Sequence, residues 1–544
     1  MYHRITSLKN KYIYIGLAAI GAIFFLPFLG QVHLFDWDEI NFAECAREMI
    51  ATGDYFRPQI DFQPFWEKPP LFIWMQVLSM KSFGISEFAA RLPNAICGIL
   101  TLLSVFYVGN KVKNKQTGIL FALFFLISWL PHFYFKSGII DPSFNLFIFL
   151  SFYHYYSIRG STSAYYSAIL SGLFLGLAVL TKGPVAILIA GLAMLVYFLL
   201  NRGFKGYSIG HILTIGVASL AVIGSWFGIY ILKDGWWFVN EFVAYQIRLF
   251  TTQDAGHGGP FIYHFVVLLI GCFPAVIFLF QQRIKSARFI FSAPPDFSVW
   301  MWIMLWVVLL LFSIVKTKIV HYSSLCYFPV CYLGAHYLDE ILQGKTSIRP
   351  ITRALFLIVG IIWSIVLIAL PLIGLFKDRF TPYIEDPFAV GNLEAQVNWS
   401  YFELIPGLIY LMLLIIIFIK LRRNTIFALG ILLISQLLII PVTILHFTPK
   451  IEAISQRAAI EFYSSFQGKQ VLIKPLGFKS YAHLFYAKKS ASVPSATDED
   501  QLIHEPNSFP VYFISKIQDK PRYDTFPQLE VLGSKNGFVF YKKK

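Results

Sequence analysis

Apolar residues in this chain come in long unbroken runs, separated by short polar stretches of two distinct kinds. The runs cover residues 12–30, 88–109, 118–135, 143–157, 164–181, 185–201, 209–231, 261–280, 298–315, 322–338, 354–375, 404–420 and 424–446. A helix needs about 20 apolar residues to cross a bilayer core, so the pattern predicts about 13 transmembrane helices. One kind of connector is short and basic: Arg4/Lys9/Lys11, Lys111/Lys113/Lys115, Arg159, Arg202/Lys205, Arg283/Lys285/Arg288, Lys345/Arg349/Arg353 and Lys420/Arg422/Arg423. With this count all seven fall on one side, which the positive-inside rule makes cytoplasmic. The long segments 31–87, 232–260, 377–403 and 447–544 then face the exterior. The odd count puts the C-terminal tail on the same side as the first loop.

Composition sharpens this. Hydrophobic residues make up 57% of the 544 and charged ones 14%, against roughly 25% charged in a soluble domain. A soluble enzyme, a disordered chain and a disulfide scaffold are excluded. The net charge of +15 reads as membrane topology and not as a nucleic-acid partner. Cys45, Cys97, Cys272, Cys326 and Cys331 form no paired motif and read as small buried hydrophobes. No signal-peptide cleavage pattern follows the first run, so it reads as a span.

No cytoplasmic connector is long enough to fold a nucleotide-binding domain, and no Walker A sequence occurs. An activated substrate must therefore come from outside or from the lipid. The tail differs in composition. Gln456 to Phe466 reads as a helix, and Val471 to Pro475, Val511 to Ser515 and Phe538 to Tyr541 read as strands. The chain thus divides into a membrane domain, 1–446, and a small external α/β domain, 447–544.

The first external loop is acidic, with nine Asp or Glu against four Lys or Arg. It opens on Trp37-Asp38-Glu39, and Ile40 to Thr52 reads as a helix ended by Gly53-Asp54. Phe42, Ala46, Met49 and Ile50 share one side, which suits a helix lying in the interface plane. Asp38 has two readings: a cap on that helix, or a carboxylate acting as general base or orienting group. Glu67-Lys68-Pro69-Pro70 precedes a second apolar helix, so Lys68 stands beside a positive helix end. It reads as a snorkelling lysine or as a contact for an anion such as phosphate. Asp141-Pro142 similarly starts a helix by cap and proline. Lys182, Arg248, Lys316 and Lys318 lie on the exterior side, against the general trend. They are helix-end charges, or together a phosphate pocket to which His321 and Tyr322 add hydrogen bonds.

Six pieces in order resemble the bacterial ArnT-like and protein O-mannosyltransferase-like glycosyltransferases of GT-C fold. They are Trp37-Asp38-Glu39-Ile40-Asn41-Phe42-Ala43-Glu44, Thr52-Gly53-Asp54, Trp66-Glu67-Lys68-Pro69-Pro70, Asp141-Pro142, Thr181-Lys182-Gly183-Pro184, and Lys316-Thr317-Lys318 leading to His321-Tyr322. The resemblance implies a polytopic α-helical membrane protein of the bacterial inner membrane, working at its periplasmic face. It implies transfer of a sugar from a polyprenyl-phosphate donor to a lipid A-type glycolipid or to protein Ser/Thr, with no nucleotide. Asp38, with Glu39 beside it and Asp141 nearby, takes the catalytic place. Lys68, Arg248, Lys316, Lys318, His321 and Tyr322 take the donor phosphate. Some members of this group hold a divalent metal ion; the matching positions are Glu67 and, in Gly256-His257-Gly258-Gly259, His257. The chain departs at Asn41, where lipid A-modifying members carry Arg.

Other readings fit less well, among them a non-catalytic sensor, for which a single-span anchor would serve. A lipid-linked polysaccharide ligase or polymerase would not be expected to carry Asp-Glu after the first span and Glu-Lys-Pro-Pro before the second. A secondary transporter favours repeated halves and mid-membrane ionisable groups; these loops are unequal and the spans nearly charge-free.

Overall fold

The computed structural model describes residues 8–201, 203, 206–252, 258–282, 296–495 and 498–544. His257 lies outside the described residues, as do the connector residues Arg4, Arg202, Lys205, Arg283, Lys285 and Arg288.

Each of the thirteen apolar runs falls on a helix or on a pair of helices joined at a short break. Backbone polar groups find no water in hydrocarbon, so such runs satisfy them internally as helix. Among the described residues six helices have the length and hydropathy of a membrane span, and two bent pairs raise this to eight. The pairs are Ile209–Gly224 with Phe227–Asp234, bent 46°, and Tyr263–Gly271 with Ala275–Gln281, bent 107° at a break containing Pro274. Four shorter apolar helices accompany them: Asn10–Phe25, Leu71–Phe83, Lys115–Ile127 and Val185–Leu200. The chain is a multi-pass membrane protein.

The bundle is held by aromatic stacking and by close approach at small residues. Trp129 stacks on Trp363 at 3.8 Å and Phe149 on Phe328 at 4.4 Å. Gly172 and Gly176 let helix Ala164–Lys182 approach helix Ile209–Gly224. A methyl at Gly172 would lie 2.4 Å from the Ile215 carbonyl, the close backbone contact that small residues four apart provide between spans.

Basic connectors meet at one end of the bundle. Lys115 donates to the Leu8 carbonyl, Lys113 to that of His336, and Arg349 to that of Phe280. The first loop and the tail meet at the other end. In the tail a four-stranded sheet forms from β1 (Leu472–Leu476), β2 (Val511–Lys516), β3 (Leu529–Lys535) and β4 (Phe538–Lys543). Its order is β1-β2-β4-β3: β1 pairs parallel with β2, and the other pairs are antiparallel. Strand β3 was not expected from the sequence. Of its seven residues only Leu529 is buried, so it lacks the alternation that marks a half-buried strand.

The first-loop helix, Asp38–Thr52, corrects one expectation. It does not lie with a polar face in water: Glu39 through Met49 are all buried. The tail covers the polar side. Ile40, Phe42, Met49 and Phe72 of the loop share one core with Ile460, Tyr463, Phe485 and Ile514 of the tail. Arg47 donates to the Lys489 carbonyl at 3.0 Å, Lys489 pairs with Asp61, and His33 Nδ1 lies 2.8 Å from Glu452 Oε1. Loop and tail therefore stand on the same side of the membrane.

Candidate active site

Between the first loop, the ends of several spans and the tail lies a cavity of about 1220 Å3. Asp38, Glu39, Glu67, Lys68, Arg248, His321 and Tyr322 of the expected set line it, and so does Lys182. The wall is otherwise largely apolar, with Phe28, Leu29, Phe133, Val185, Phe312 and Leu445 among its members.

Asp38 is the first residue of its helix, and no cap hydrogen bond from it occurs among the described residues. The cap reading is therefore replaced. Its Oδ2 lies 3.4 Å from His321 Nε2, so His321 faces the candidate base. Glu39, one residue on, also lines the cavity, but its carboxylate is taken up by protein donors. Its carboxylate accepts from Arg91 Nε (2.9 Å) and Nη2 (2.7 Å), from the Phe35 amide (2.9 Å) and from the Gly138 amide (2.5 Å). Burial opposes its charge, but the Arg91 guanidinium and these donors hold its pKa below the usual range. Every oxygen is engaged, so Glu39 is corrected from a catalytic to a positioning group. It ties the start of the loop helix to helix Glu87–Val112.

Asp141 opens helix Asp141–Ser157 but does not cap it either. Its Oδ1 accepts from Lys182 Nζ at 2.6 Å and from Ser324 Oγ at 3.3 Å, while the buried Oδ2 has no partner among the described residues. It is outside the cavity wall and holds Lys182 in it. The Lys182 ammonium lies 5.5 Å from the rings of both Phe144 and Tyr322.

Lys68 stands two residues before Pro70, the N-cap of helix Leu71–Phe83. Its ammonium has no hydrogen bond or ion pair among the described residues and lies 5.1 Å from the Tyr245 ring. The Arg248 guanidinium is 5.1 Å from the same ring. Tyr245 thus carries two cations toward one space. Burial pushes the Lys68 pKa down, against Glu67 and Asp38, which act to raise it. Helix Trp237–Thr251, which bears Tyr245 and Arg248, is seated by a glycine. Gly183 has φ +99°, and a methyl there would lie 2.4 Å from Phe242 Cζ. That accounts for the Thr181-Lys182-Gly183-Pro184 turn: only glycine takes this conformation and leaves room for the ring.

Two expected phosphate ligands are corrected. Lys318 is buried, and its ammonium donates to the carbonyls of Phe312, Ser313 and Val315. It closes the C-terminal end of helix Phe297–Ile314, a usual role for lysine there. Lys316 is exposed and outside the cavity wall. Thr317 between them donates to the Thr252 carbonyl at 2.8 Å, fastening this turn to the end of helix Trp237–Thr251. Glu67 lines the cavity, but its expected metal-binding companion His257 is outside the described residues. Among those described, no group of three His, Cys, Asp or Glu side chains could hold a metal ion.

Sequence reasoning missed Arg91, Lys136, Tyr245 and Lys479. Arg91 carried a signal, since a charge inside an apolar run implies a buried partner. Lys136 donates to the carbonyls of Phe24, Phe25 and Pro27, at 3.3, 3.3 and 2.7 Å, and closes helix Asn10–Phe25. Tyr245 and Lys479 carried none, because each is brought in from a distant segment.

Comparison with known proteins agrees with this architecture. A family model described as dolichyl-phosphate-mannose-protein mannosyltransferase matches residues 67–226. An undecaprenyl phosphate-alpha-4-amino-4-deoxy-L-arabinose arabinosyl transferase of Edwardsiella ictaluri is 28% identical over 353 residues, 63% of either chain. The enzyme of that name from Pectobacterium carotovorum is 26% identical over 391 residues, 71% of this chain and 69% of its own. The aligned part thus spans somewhat under two thirds of the first relative's length and somewhat over two thirds of the second's. The crystal structure of ArnT from Cupriavidus metallidurans bound to undecaprenyl phosphate superimposes with a TM-score of 0.78 at 17% identity, covering 98% of both chains. Fold and cavity define a polytopic membrane protein of GT-C type with a small α/β domain at its C-terminus. Within that class its architecture is similar to that of the ArnT structure.

Proposed function

We propose that the protein transfers a sugar from a polyprenyl-phosphate donor to an acceptor that enters under the tail. The observation that carries this is the meeting within one cavity of the Asp38 carboxylate, 3.4 Å from His321, with the cations Lys68, Lys182 and Arg248 against an apolar wall. Cations aimed at one space suit a phosphate, and the apolar wall suits its lipid chain. The named activity of the relatives supports the finer reading that the sugar is an amino-pentose and the acceptor a lipid A-type glycolipid. On this reading residues 1–446 form the transferase's membrane domain and 447–544 an external domain roofing the cavity. The protein then belongs to a bacterial inner membrane with the cavity facing the periplasm.

The acceptor oxygen attacks the anomeric carbon from the face opposite the phosphate, and the carbon–oxygen bond to the polyprenyl phosphate breaks. An acceptor hydroxyl gives its proton to Asp38, which His321 orients; an ionised phosphate acceptor has no proton to give. The leaving phosphate gains negative charge, and Lys68 and Arg248, both on the Tyr245 ring, with Lys182, stabilise it where it develops.

The test is transfer by purified protein from a synthetic undecaprenyl-phosphate aminoarabinose donor, with lipid A and a Ser/Thr peptide offered in separate reactions. Transfer without added nucleotide is expected, to lipid A. Transfer only from a nucleotide sugar overturns the proposal; transfer only to peptide overturns the acceptor.

A further inference from the structure

Lys479 belongs to the tail, yet it lines the same cavity as Asp38. Its ammonium lies 4.7 Å from the Trp37 ring and 5.6 Å from the Tyr481 ring. No hydrogen bond or ion pair from that ammonium occurs among the described residues. The aromatic platform is organised: Trp37 and Tyr481 lie 5.1 Å apart, tilted by 31°. Asn41, with its amide turned to satisfy both groups, donates to the Trp37 carbonyl at 3.0 Å and accepts from the indole N–H at 2.9 Å. A buried asparagine thus fixes the indole, the indole seats the lysine, and Trp37 is the residue before Asp38. The pair of cations on Tyr245, Lys68 and Arg248, lines the same cavity but is carried by different segments of the chain. Apolar Ile444, Leu445 and Ile451, from the helix leading into the tail, continue the wall.

We infer that Lys479 on its Trp37–Tyr481 platform is the subsite for a phosphate group on the acceptor, an amphiphilic phosphoglycolipid whose chains run along Ile444 and Ile451. Resting on the proposed transferase reading, this makes the tail a specificity element as well as a roof. Two cationic stations, one for each substrate, then share the cavity with Asp38. An amphiphile is favoured over a peptide because the cation and these apolar side chains line one cavity.

The experiment uses the full-length protein in detergent as wild type, Lys479→Ala and Lys479→Arg. Binding is measured for a synthetic lipid A disaccharide with its phosphates and for the same molecule without them. Lys479→Ala should weaken the phosphorylated lipid by about tenfold or more, the size of a lost charge-assisted hydrogen bond. Lys479→Arg should restore most of it, and the dephosphorylated lipid should bind all three proteins equally. In turnover the acceptor KM should rise while the donor KM holds. Inorganic phosphate at the lipid's concentration should not displace it; full displacement would make this a free-phosphate site and overturn the assignment. Unchanged binding in Lys479→Ala, or an equal loss for both lipids, overturns it as well. A wild type that binds through Lys479 but transfers no sugar sinks the transferase reading alone. A wild type that transfers sugar while Lys479→Ala matches it sinks the acceptor site alone.

Discussion

The seam between loop and tail and the cavity beside it are built from the same residue types, yet they treat charge in opposite ways. In the seam, charged groups meet protein partners. Glu44 takes Arg47 through two hydrogen bonds of 2.6 Å, Glu452 takes His33 and Arg457, and Glu39 takes Arg91. In the cavity, Lys68 and Lys479 rest on aromatic rings, and Asp38 faces a histidine at 3.4 Å. A buried charge with a full set of partners holds a fold together. One left facing open space opposes folding and persists where a ligand completes it. Asp38 and Glu39 make the contrast within two residues.

That contrast is broken or sharpened most directly at this pair. Asp38→Asn should lower turnover by about 10²–10⁴-fold with no change in thermal stability in detergent, since its carboxylate supports no backbone group. An equally stable and fully active Asp38→Asn protein removes Asp38 from the chemistry. Glu39→Gln should do the reverse. Breaking one side of a buried ion pair costs about 3–5 kcal/mol, so its unfolding temperature should drop sharply. Wild-type stability in this variant would mean that Arg91 does not depend on Glu39.

Lys68→Ala sharpens the cavity side. It should cut kcat/KM for the lipid-phosphate donor by about 10- to 100-fold, the scale of a charge-assisted hydrogen bond. Its unfolding temperature should be no lower than that of wild type, because the ammonium's burial already works against its charge. A stability loss with unchanged donor kinetics would move Lys68 to the structural side of the comparison.

The smallest effect concerns one group in the seam that is not fully matched. Glu48 accepts from the Asp61 and Phe62 amides at 2.7 and 2.8 Å. Burial first, and then the neighbouring Glu44 carboxylate, push its pKa up to about 9. Between its ordinary pKa and 9 the folded protein holds a proton that the unfolded chain has lost, so this group's contribution to stability falls as pH rises through that window. The unfolding temperature of wild type relative to Glu48→Gln should therefore decline steadily from pH 6 to 9. A constant difference would mean that Glu48 is ionised in the fold.

Much of the architecture was legible because hydrophobicity is local. Each span announces itself within about 20 residues, and Gly53, at φ +74°, ends the loop helix where the sequence put its stop. The cavity was legible in part, since Asp38, Lys68, Arg248, His321 and Tyr322 sit in short motifs or beside them. The errors share a cause. Lys318 and Lys68 look alike in the sequence, but one is within reach of a helix's last carbonyls and the other is not. Asp141 stands where a cap would stand, but Lys182 and Ser324 meet its carboxylate instead.

The order of residues was enough to establish the helices, the long first loop with its carboxylates, and the α/β character of the tail. These depend on composition and on spacing along the chain. Whether a given charge is structural or available depends on what lies opposite it across space. Arg91 comes to Glu39 from another helix, Tyr245 to Lys68 from helix Trp237–Thr251, and Lys479 to Trp37 from the tail. Pairing energies change within an ångström or two, over sequence separations that no local pattern encodes, so only the tertiary structure could assign them.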